Sequence, residues 1–515
     1  MLYSLGRGRS LQFGVTVCCL IAFVLFGYDQ GVFSGILQNQ DWLDQFGHPS
    51  DTETGIIVSC YNLGCLAGCV LNFFIGEKLG RRKTIWFAMC LVLVGATLQA
   101  TAFSVGHLVV GRVITGCGTG MKTSTVPMYQ AELCDSKARG RLVSAEVLFV
   151  GVGIVTAYWF DFGMSFVGGP IAWRLPLAFQ TVFAIIVIIL VFALPESPRW
   201  LISHGKKTQA IEVLCAVHDM HPSEDYIVQE ERAISHAIEL ENETNQSKSF
   251  FSIFKNDGVR TRYRVILAWG AQFMNQGGGI NLVVYYIPSV LVQNVGMSSQ
   301  MAQILGGCIN MMFMFGSILP SLALDRMGRR KTMMLGSLGL SICMLMISAL
   351  LSQANQPGGR GQAFGSASVA FFFLYMLIFG MSLNCVPWVY VPEVLPLEAR
   401  TRGTSIGVSS NWLWNFTIVM VTPIIINRLQ WKTYLIFTAT NLVFVPIIYF
   451  FYPETGNLRL EDVDYLFTKG GDPVKNAREV AKRLKSGLEV FPSDIESGME
   501  KQEAGKVHVE TLEGV

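Results

Sequence analysis

GEKLGRRK, residues 76–83, returns late in the chain as LDRMGRRK, residues 324–331. Two further landmarks repeat in the same order at nearly constant offsets. AELCDSKARGR (131–141) is echoed by PEVLPLEARTR (392–402), and PESPRW (195–200) by PETG (453–456). Chance seldom produces three ordered echoes, so the chain reads as two copies of one unit. A site lying between two such repeats is a transporter architecture.

The residues between these landmarks point to lipid as the solvent. The 515-residue chain is 51% hydrophobic and only 15% charged, against about 25% charged in ordinary soluble domains. Its net charge of +2 gives no field suited to nucleic acid or another polyanion. Twelve apolar segments have the length a helix needs to cross about 30 Å of hydrocarbon. They lie near 12–37, 54–76, 84–104, 107–131, 142–162, 177–194, 263–293, 299–324, 332–353, 364–391, 403–426 and 433–452. The fold class expected is an all-α membrane protein of twelve spans in two six-helix bundles. Residues 1–11 form a cytoplasmic N-terminus, 12–194 the first bundle and 195–262 a polar linker with short amphipathic helices. Residues 263–452 form the second bundle and 453–515 a tail, partly disordered. The first span is too long, and too polar at Asp29, for a cleaved signal peptide.

Lys and Arg cluster in the 2–3, 4–5 and 8–9 connections, while the connections after spans 1, 3 and 7 lack them. The bias sets both termini in the cytoplasm, and the plasma membrane is the expected location. On that side the sequons at Asn242 and Asn245 go unused. None of the twelve cysteines falls in an outer loop and their spacing matches no zinc pattern, so neither a disulfide framework nor a metal is expected.

Some polar residues stand where lipid should forbid them. Asp29 sits inside LFGYDQGVFSG (25–35), and Arg112 interrupts HLVVGRVITGCGTG (107–120). A charge at bilayer depth costs roughly 2.5–3.5 kcal/mol on insertion scales, so such residues are functional by default. AQFMNQGGGINLVVYY (271–286) carries Asn275, Gln276 and Asn281 around a triple glycine. Amides offer both donor and acceptor to neighbouring hydroxyls, and the glycines allow a helix to break toward a cavity. Glu146 lies about one turn inside span 5. It is open to three readings: a second proton site, an acceptor for polyol hydroxyls, or an interfacial acid near Arg141. GCGTGMKTS (116–124) is not a phosphate loop, because Met121 separates glycine from lysine and the stretch lies within span 4; its small residues read as packing. No nucleophile–base set is present, and an enzyme is not expected.

PMYQAEL (127–133), PESPRWL (195–201), GINLVVYY (279–286), VPWVYVPE (386–393) and the paired GRRK together resemble the sugar porter family of the major facilitator superfamily. FGYDQGVFSG and AYWFDFG are similar to fungal proton-linked hexose and polyol carriers. The resemblance covers about residues 10–460 and implies alternating access without a cofactor. It implies that Asp29 and Arg112 pair and that Asp29 carries the proton. It makes Asn275, Gln276, Asn281, Asn310, Trp388 and Asn411 sugar contacts, and Tyr285 and Tyr286 an outer gate. Glu77, Arg81, Glu132, Arg139 and Glu196, with their echoes Asp325, Arg329, Glu393, Arg400 and Glu454, become a cytoplasmic latch. Two departures touch the sugar site: Asn275 replaces a family Gln, and Asn384-Cys385 replaces Gly-Pro before Trp388. The function expected is proton-coupled import of a small neutral sugar by a monomer. A uniporter or a polyol symporter of the same fold is the alternative, and a sugar-sensing receptor a more distant one.

Overall fold

The computed structural model describes residues 6–134, 139–232, 234–235, 238, 257–354, 359–396, 400–456, 458, 460–468 and 471–485. The side chains of Arg139, Asp325 and Arg400, both sequons and the end of the tail lie outside that set.

Twelve spans are helical. The first six are α1 (Arg9–Ile36), α2 (Asp51–Leu79), α3 (Arg81–Ala100), α4 (Val105–Leu133), α5 (Arg139–Ser165) and α6 (Ile171–Ala193). The second six are α7, in two pieces (Thr261–Gly277 and Ile280–Val295), α8 (Ser299–Met327), α9 (Arg329–Gln353), α10, α11 (Arg400–Leu429) and α12 (Thr433–Phe451). α10 runs from Gly359–Phe379 through a π-helical turn, Gly380–Asn384, into Val386–Val394. The end of the bundle where α1 starts is called the base, and the opposite end the mouth. Short helices Pro198–Ser203 and Lys207–His218 cover the base. The backbone N–H of Gly8 and the side chain of Gln12 tie α1 to the carbonyls of Ala216 and Val217 there.

Nine stretches among the described residues are long and apolar enough to cross a membrane, and one of them, Gly403–Phe451, holds both α11 and α12. α4 and α7 fall outside these nine. α4 carries Arg112 and Lys122, and α7 is broken at Gly278–Gly279. These two spans carry Arg112, Lys122 and four amides of the site, whereas Asp29 lies on the apolar α1.

Mouth-side helix starts are capped as their sequences allow. Ser50 and Glu53 form a reciprocal box at α2, while Ser104 and Ser298 cap α4 and α8. At the base the α2–α3 and α8–α9 turns are built alike, on Gly80 (φ 83°) and Gly328 (φ 77°). A side chain is strained at such φ, so glycine precedes both RRK runs.

Within the first half α1 packs on α5, α2 on α4, and α3 on α4 and α6. Within the second, α7 packs on α11, α9 on α10 and α12, and α8 on α10. The halves meet along α2 with α11, α5 with α8, and α1 with the second piece of α7. Apolar side chains such as Ile189, Phe192, Leu322 and Leu442 face outward around this core.

Candidate functional site

Asp29 is fully buried, and its carboxylate points at α2 and α4. Tyr61 Oη and Thr119 Oγ1 each donate to its Oδ2 at 3.2 Å. Lys122 Nζ lies 3.9 Å from the same oxygen, with both side chains buried. Thr119 and Lys122 share a face of α4 because they are three residues apart. Arg112, the partner the sequence suggested, lies within electrostatic reach of Asp29 but makes no direct ion pair with it among the described residues. Its Nη2 donates to the Val58 carbonyl at 3.0 Å, and its guanidinium lies 4.4 Å from the Phe33 ring centre and 4.6 Å from that of Tyr61. Ten residues of helix separate it from Lys122, about 15 Å along the axis, so the two cations approach the carboxylate from different levels and Lys122 is the one in direct contact. Tyr61 links them, bonding Asp29 through its hydroxyl and facing Arg112 with its ring. Tyr285, from the other half, lies within electrostatic reach of both Asp29 and Arg112. Asp29 Oδ1, Lys122 Nζ and Arg112 Nε and Nη1 hold no hydrogen bond among the described residues. That is spare bonding capacity, in a place where unmet polar groups are costly.

The second cluster is made of amides. Asn411 Nδ2 donates to Gln272 Oε1 (2.8 Å) and Asn275 Oδ1 (3.1 Å). Gln276 Nε2 donates to Asn275 Oδ1 (2.7 Å), and Asn281 Nδ2 to Gln276 Oε1 (2.6 Å). Asn275 Nδ2 reaches the Leu383 and Asn384 carbonyls, which the π-helical turn of α10 presents. Asn384 in turn donates to Ser317 Oγ at 2.9 Å. The chain therefore uses its departure from Gly-Pro at 384–385 as a hydrogen-bonding link between α7, α8 and α10.

The triple glycine does break α7, but the exposed carbonyls do not face a cavity. Thr440 bonds the Gly277 carbonyl, and Tyr375 and Asn441 bond that of Gly278. Asn310 stands apart from the amides and donates to the Gly306 carbonyl of its own helix. Asn415 is buried without a hydrogen-bond partner among the described residues, while the Trp412 ring meets Phe26 of the first half edge-on at 5.5 Å. Trp388 is half-buried on the second piece of α10. Glu146 is buried with both oxygens unbonded and has Cys19 of α1 for a neighbour.

A sequence profile described as "Sugar (and other) transporter" matches residues 15–467. The chain belongs to that family. It is 41% identical over 460 residues to the MFS-type transporter oryC of Aspergillus oryzae, covering 89% of this chain and 85% of that one. It is 32% identical to Sugar transporter STL1 of Saccharomyces cerevisiae, covering 98% and 90%. A probable quinate permease of Aspergillus fumigatus is 30% identical, covering 93% and 91%. Among solved structures, the proton:xylose symporter XylE bound to 6-bromo-6-deoxy-D-glucose superposes with a TM-score of 0.74 at 23% identity, covering 89% of this chain and 100% of that one. A partially occluded inward-open XylE from E. coli gives a TM-score of 0.72 at 23% identity, covering 88% and 100%. The fold is that of the major facilitator superfamily.

The base carries the duplicated charges as two matching sets, the signature of this family member's repeats. Arg81 donates through Nε and Nη2 to Glu132, and Arg329 through the same atoms to Glu393. The N–H groups of Arg81 and Arg82 donate to Glu196, and those of Arg329 and Arg330 to Glu454. Glu77 joins through its carbonyl, which accepts the Trp200 indole N–H. Burial pushes the Glu196 carboxyl above its ordinary value, against the pull of the N–H groups of Ser197, Arg82 and Arg81. At the mouth, Tyr285 and Tyr286 are buried, and Tyr286 Oη donates to the Val419 carbonyl at 3.1 Å.

Two members of these clusters escape the sequence reading. Lys122 was legible as a charge inside a span, but its small neighbours read as packing. Gln272 lies one turn before Asn275 on the same face of α7, and that spacing alone could have found it.

Proposed function

We propose that this chain is a proton-coupled importer of a small neutral sugar, acting as a monomer by alternating access. It would lie in the plasma membrane with its base in the cytoplasm. Asp29 takes up the proton, the Asp29–Lys122 contact loosens, and Tyr61 and Tyr285 relay the change to Arg112 and to the outer gate at Tyr285 and Tyr286. Asn275, Gln276, Asn281 and Asn411, with Gln272, trade bonds among themselves for bonds to sugar hydroxyls, and Trp388 covers a ring face. Asn310 borders the site from α8, and the charge sets at the base open and reform in each cycle.

One observation carries this reading: a buried carboxylate shares an oxygen with two hydroxyls and an ammonium, between helices of a sugar transporter family member. The similar fold of XylE, a proton:xylose symporter, supports the coupling by analogy. One charge crossing 100 mV supplies about 2.3 kcal/mol, enough for roughly fifty-fold accumulation.

A second reading has its own support. Lys122 and Arg112 are two buried cations beside one buried carboxylate, and several of their N–H groups are unbonded. That imbalance suits a polyhydroxy acid carried with a proton, as the name of the quinate permease relative suggests for that protein. Uptake of labelled sugars, polyols and quinate in a host stripped of its own transporters, with external pH recorded, separates the two. Sugar-evoked alkalinisation supports the first reading. Flux of quinate alone would favour the second.

A further inference from the structure

Asp161 of α5 has no part in either cluster. It is 7% exposed, and among the described residues neither carboxylate oxygen has a partner in good hydrogen-bond geometry, the backbone of Gly35 alone lying within reach. It is wedged against α1, where a Cβ on Gly35 would lie 2.5 Å from Asp161 Cβ and 2.7 Å from Oδ2. One turn earlier on the same helix, Tyr158 Oη donates across the halves to the Val284 carbonyl on the second piece of α7. Nearby, Gln38 Nε2 donates to Ser289 Oγ at 2.7 Å, a second bond between α1 and that piece. Asp161 thus lies beside the bonds that hold the mouth shut.

Among the described residues, the groups around it offer no counter-charge. From α1 comes Tyr28, whose hydroxyl donates to the Pro176 carbonyl, while the next residue, Asp29, is turned away toward α2 and α4. From its own helix comes Tyr158, next to Ser34 and Asn310. From α6 the nearest cation is Arg174, which donates to the Ala100 and Ala102 carbonyls and lies over Phe103 and Trp173. From the second piece of α7 comes the Val284 carbonyl that Tyr158 bonds.

An ionised carboxylate shut away from water without a partner is unfavourable, and the neutral acid is far less so. Opening the mouth would let water reach the ionised form. Proton binding and closure are then linked, and the linkage is reciprocal. We propose that Asp161 is a second proton-binding carboxylate that couples external acidity to closure of the outer gate. This rests on the transporter reading above but not on Asp29 being the coupling site.

The test uses the full chain in cells with Val284→Cys as reporter, since Val284 is buried while the mouth is closed. A membrane-impermeant maleimide is applied at acidic and alkaline external pH, with the parent chain as background. Labelling is expected to rise with pH by more than thiol ionisation alone provides. Adding Asp161→Asn removes that excess, and adding Asp161→Glu keeps it. Identical pH dependence with and without Asp161→Asn overturns the proposal. If the Asn variant fails to reach the surface, the Glu variant decides: a displaced midpoint supports the role and an unchanged one overturns it. Asp29→Asn in the same background keeps the pH dependence whatever it does to accumulation, so failure of the symport reading is seen separately.

Discussion

The two halves are near-copies at the base and unlike within the membrane. Arg81, Glu132 and Glu196 in one half are matched bond for bond by Arg329, Glu393 and Glu454 in the other. Deeper in, the first half buries Asp29, Lys122, Arg112, Glu146 and Asp161, whereas the middle of the second half buries Gln272, Asn275, Gln276, Asn281, Asn384 and Asn411. The part common to both copies is mechanical, and the parts that differ are chemical. The mid-membrane acids belong to the first half, which also buries Asn62, Gln99, Gln130 and Gln180, and the bonded amide cluster belongs to the second. That is the division of labour expected of a machine that couples a proton to an uncharged solute.

The largest expected effect comes from unbalancing the charged half. Lys122→Met leaves the Asp29 carboxylate buried without its ammonium, a change that typically costs about 3–5 kcal/mol. It should show as a large drop in thermal stability in detergent. Adding Asp29→Asn should recover most of that loss, because the stranded charge is gone. Purely additive losses in this double-mutant cycle would break the pairing of the two residues. The same cycle run with Arg112→Met should give a smaller coupling, since Arg112 bonds the Val58 carbonyl and acts on Asp29 without direct contact.

The amide half should respond differently. Gln276→Leu or Asn411→Leu removes one or two hydrogen bonds to a bound hydroxyl, each net bond being worth about 1 kcal/mol. About a tenfold rise in KM per variant is the expected result, with substrate-driven alkalinisation still present at saturating sugar. Loss of the proton signal with unchanged KM would blur the division between the halves.

The base should give the smallest and most symmetric effects. Glu132→Gln and Glu393→Gln are expected to lower stability by similar small amounts, because partly exposed pairs contribute little. Glu196 adds a pH term of known sign. Burial raises its carboxyl in the folded protein, so the folded state holds this proton more tightly than the unfolded one. Stability from this group is full below the ordinary glutamate value and falls as pH rises toward the raised one. Glu196→Gln should remove that slope from a stability–pH profile, and an unchanged slope would place its origin elsewhere.

Much of this was legible in the sequence, for physical reasons. Twelve apolar runs and three repeated landmarks suffice to specify the fold, because hydrocarbon leaves helices few alternatives. The amides of α7 announced themselves by being polar beside a triple glycine. Pairing was harder to read. Asp29 and Arg112 were both conspicuous, but which cation stands level with the carboxylate depends on helix offset, which spacing within one helix does not reveal. Lys122 was hidden among small residues whose packing role is also real: Gly116 and Gly120 lie tight against Tyr61 and Cys65 of α2. The same close approach brings Tyr61 to Asp29. Asp161 sat inside AYWFDFG, where four aromatic neighbours obscured the acid.

Purified protein in liposomes, with substrate on both sides and an inward proton gradient imposed, addresses the division of labour most directly. Wild type should concentrate labelled sugar inside, and Asp29→Asn should only equilibrate it while still exchanging label at a rate near that of wild type. An Asp29→Asn protein that continues to build a sugar gradient from the proton gradient would contradict the account.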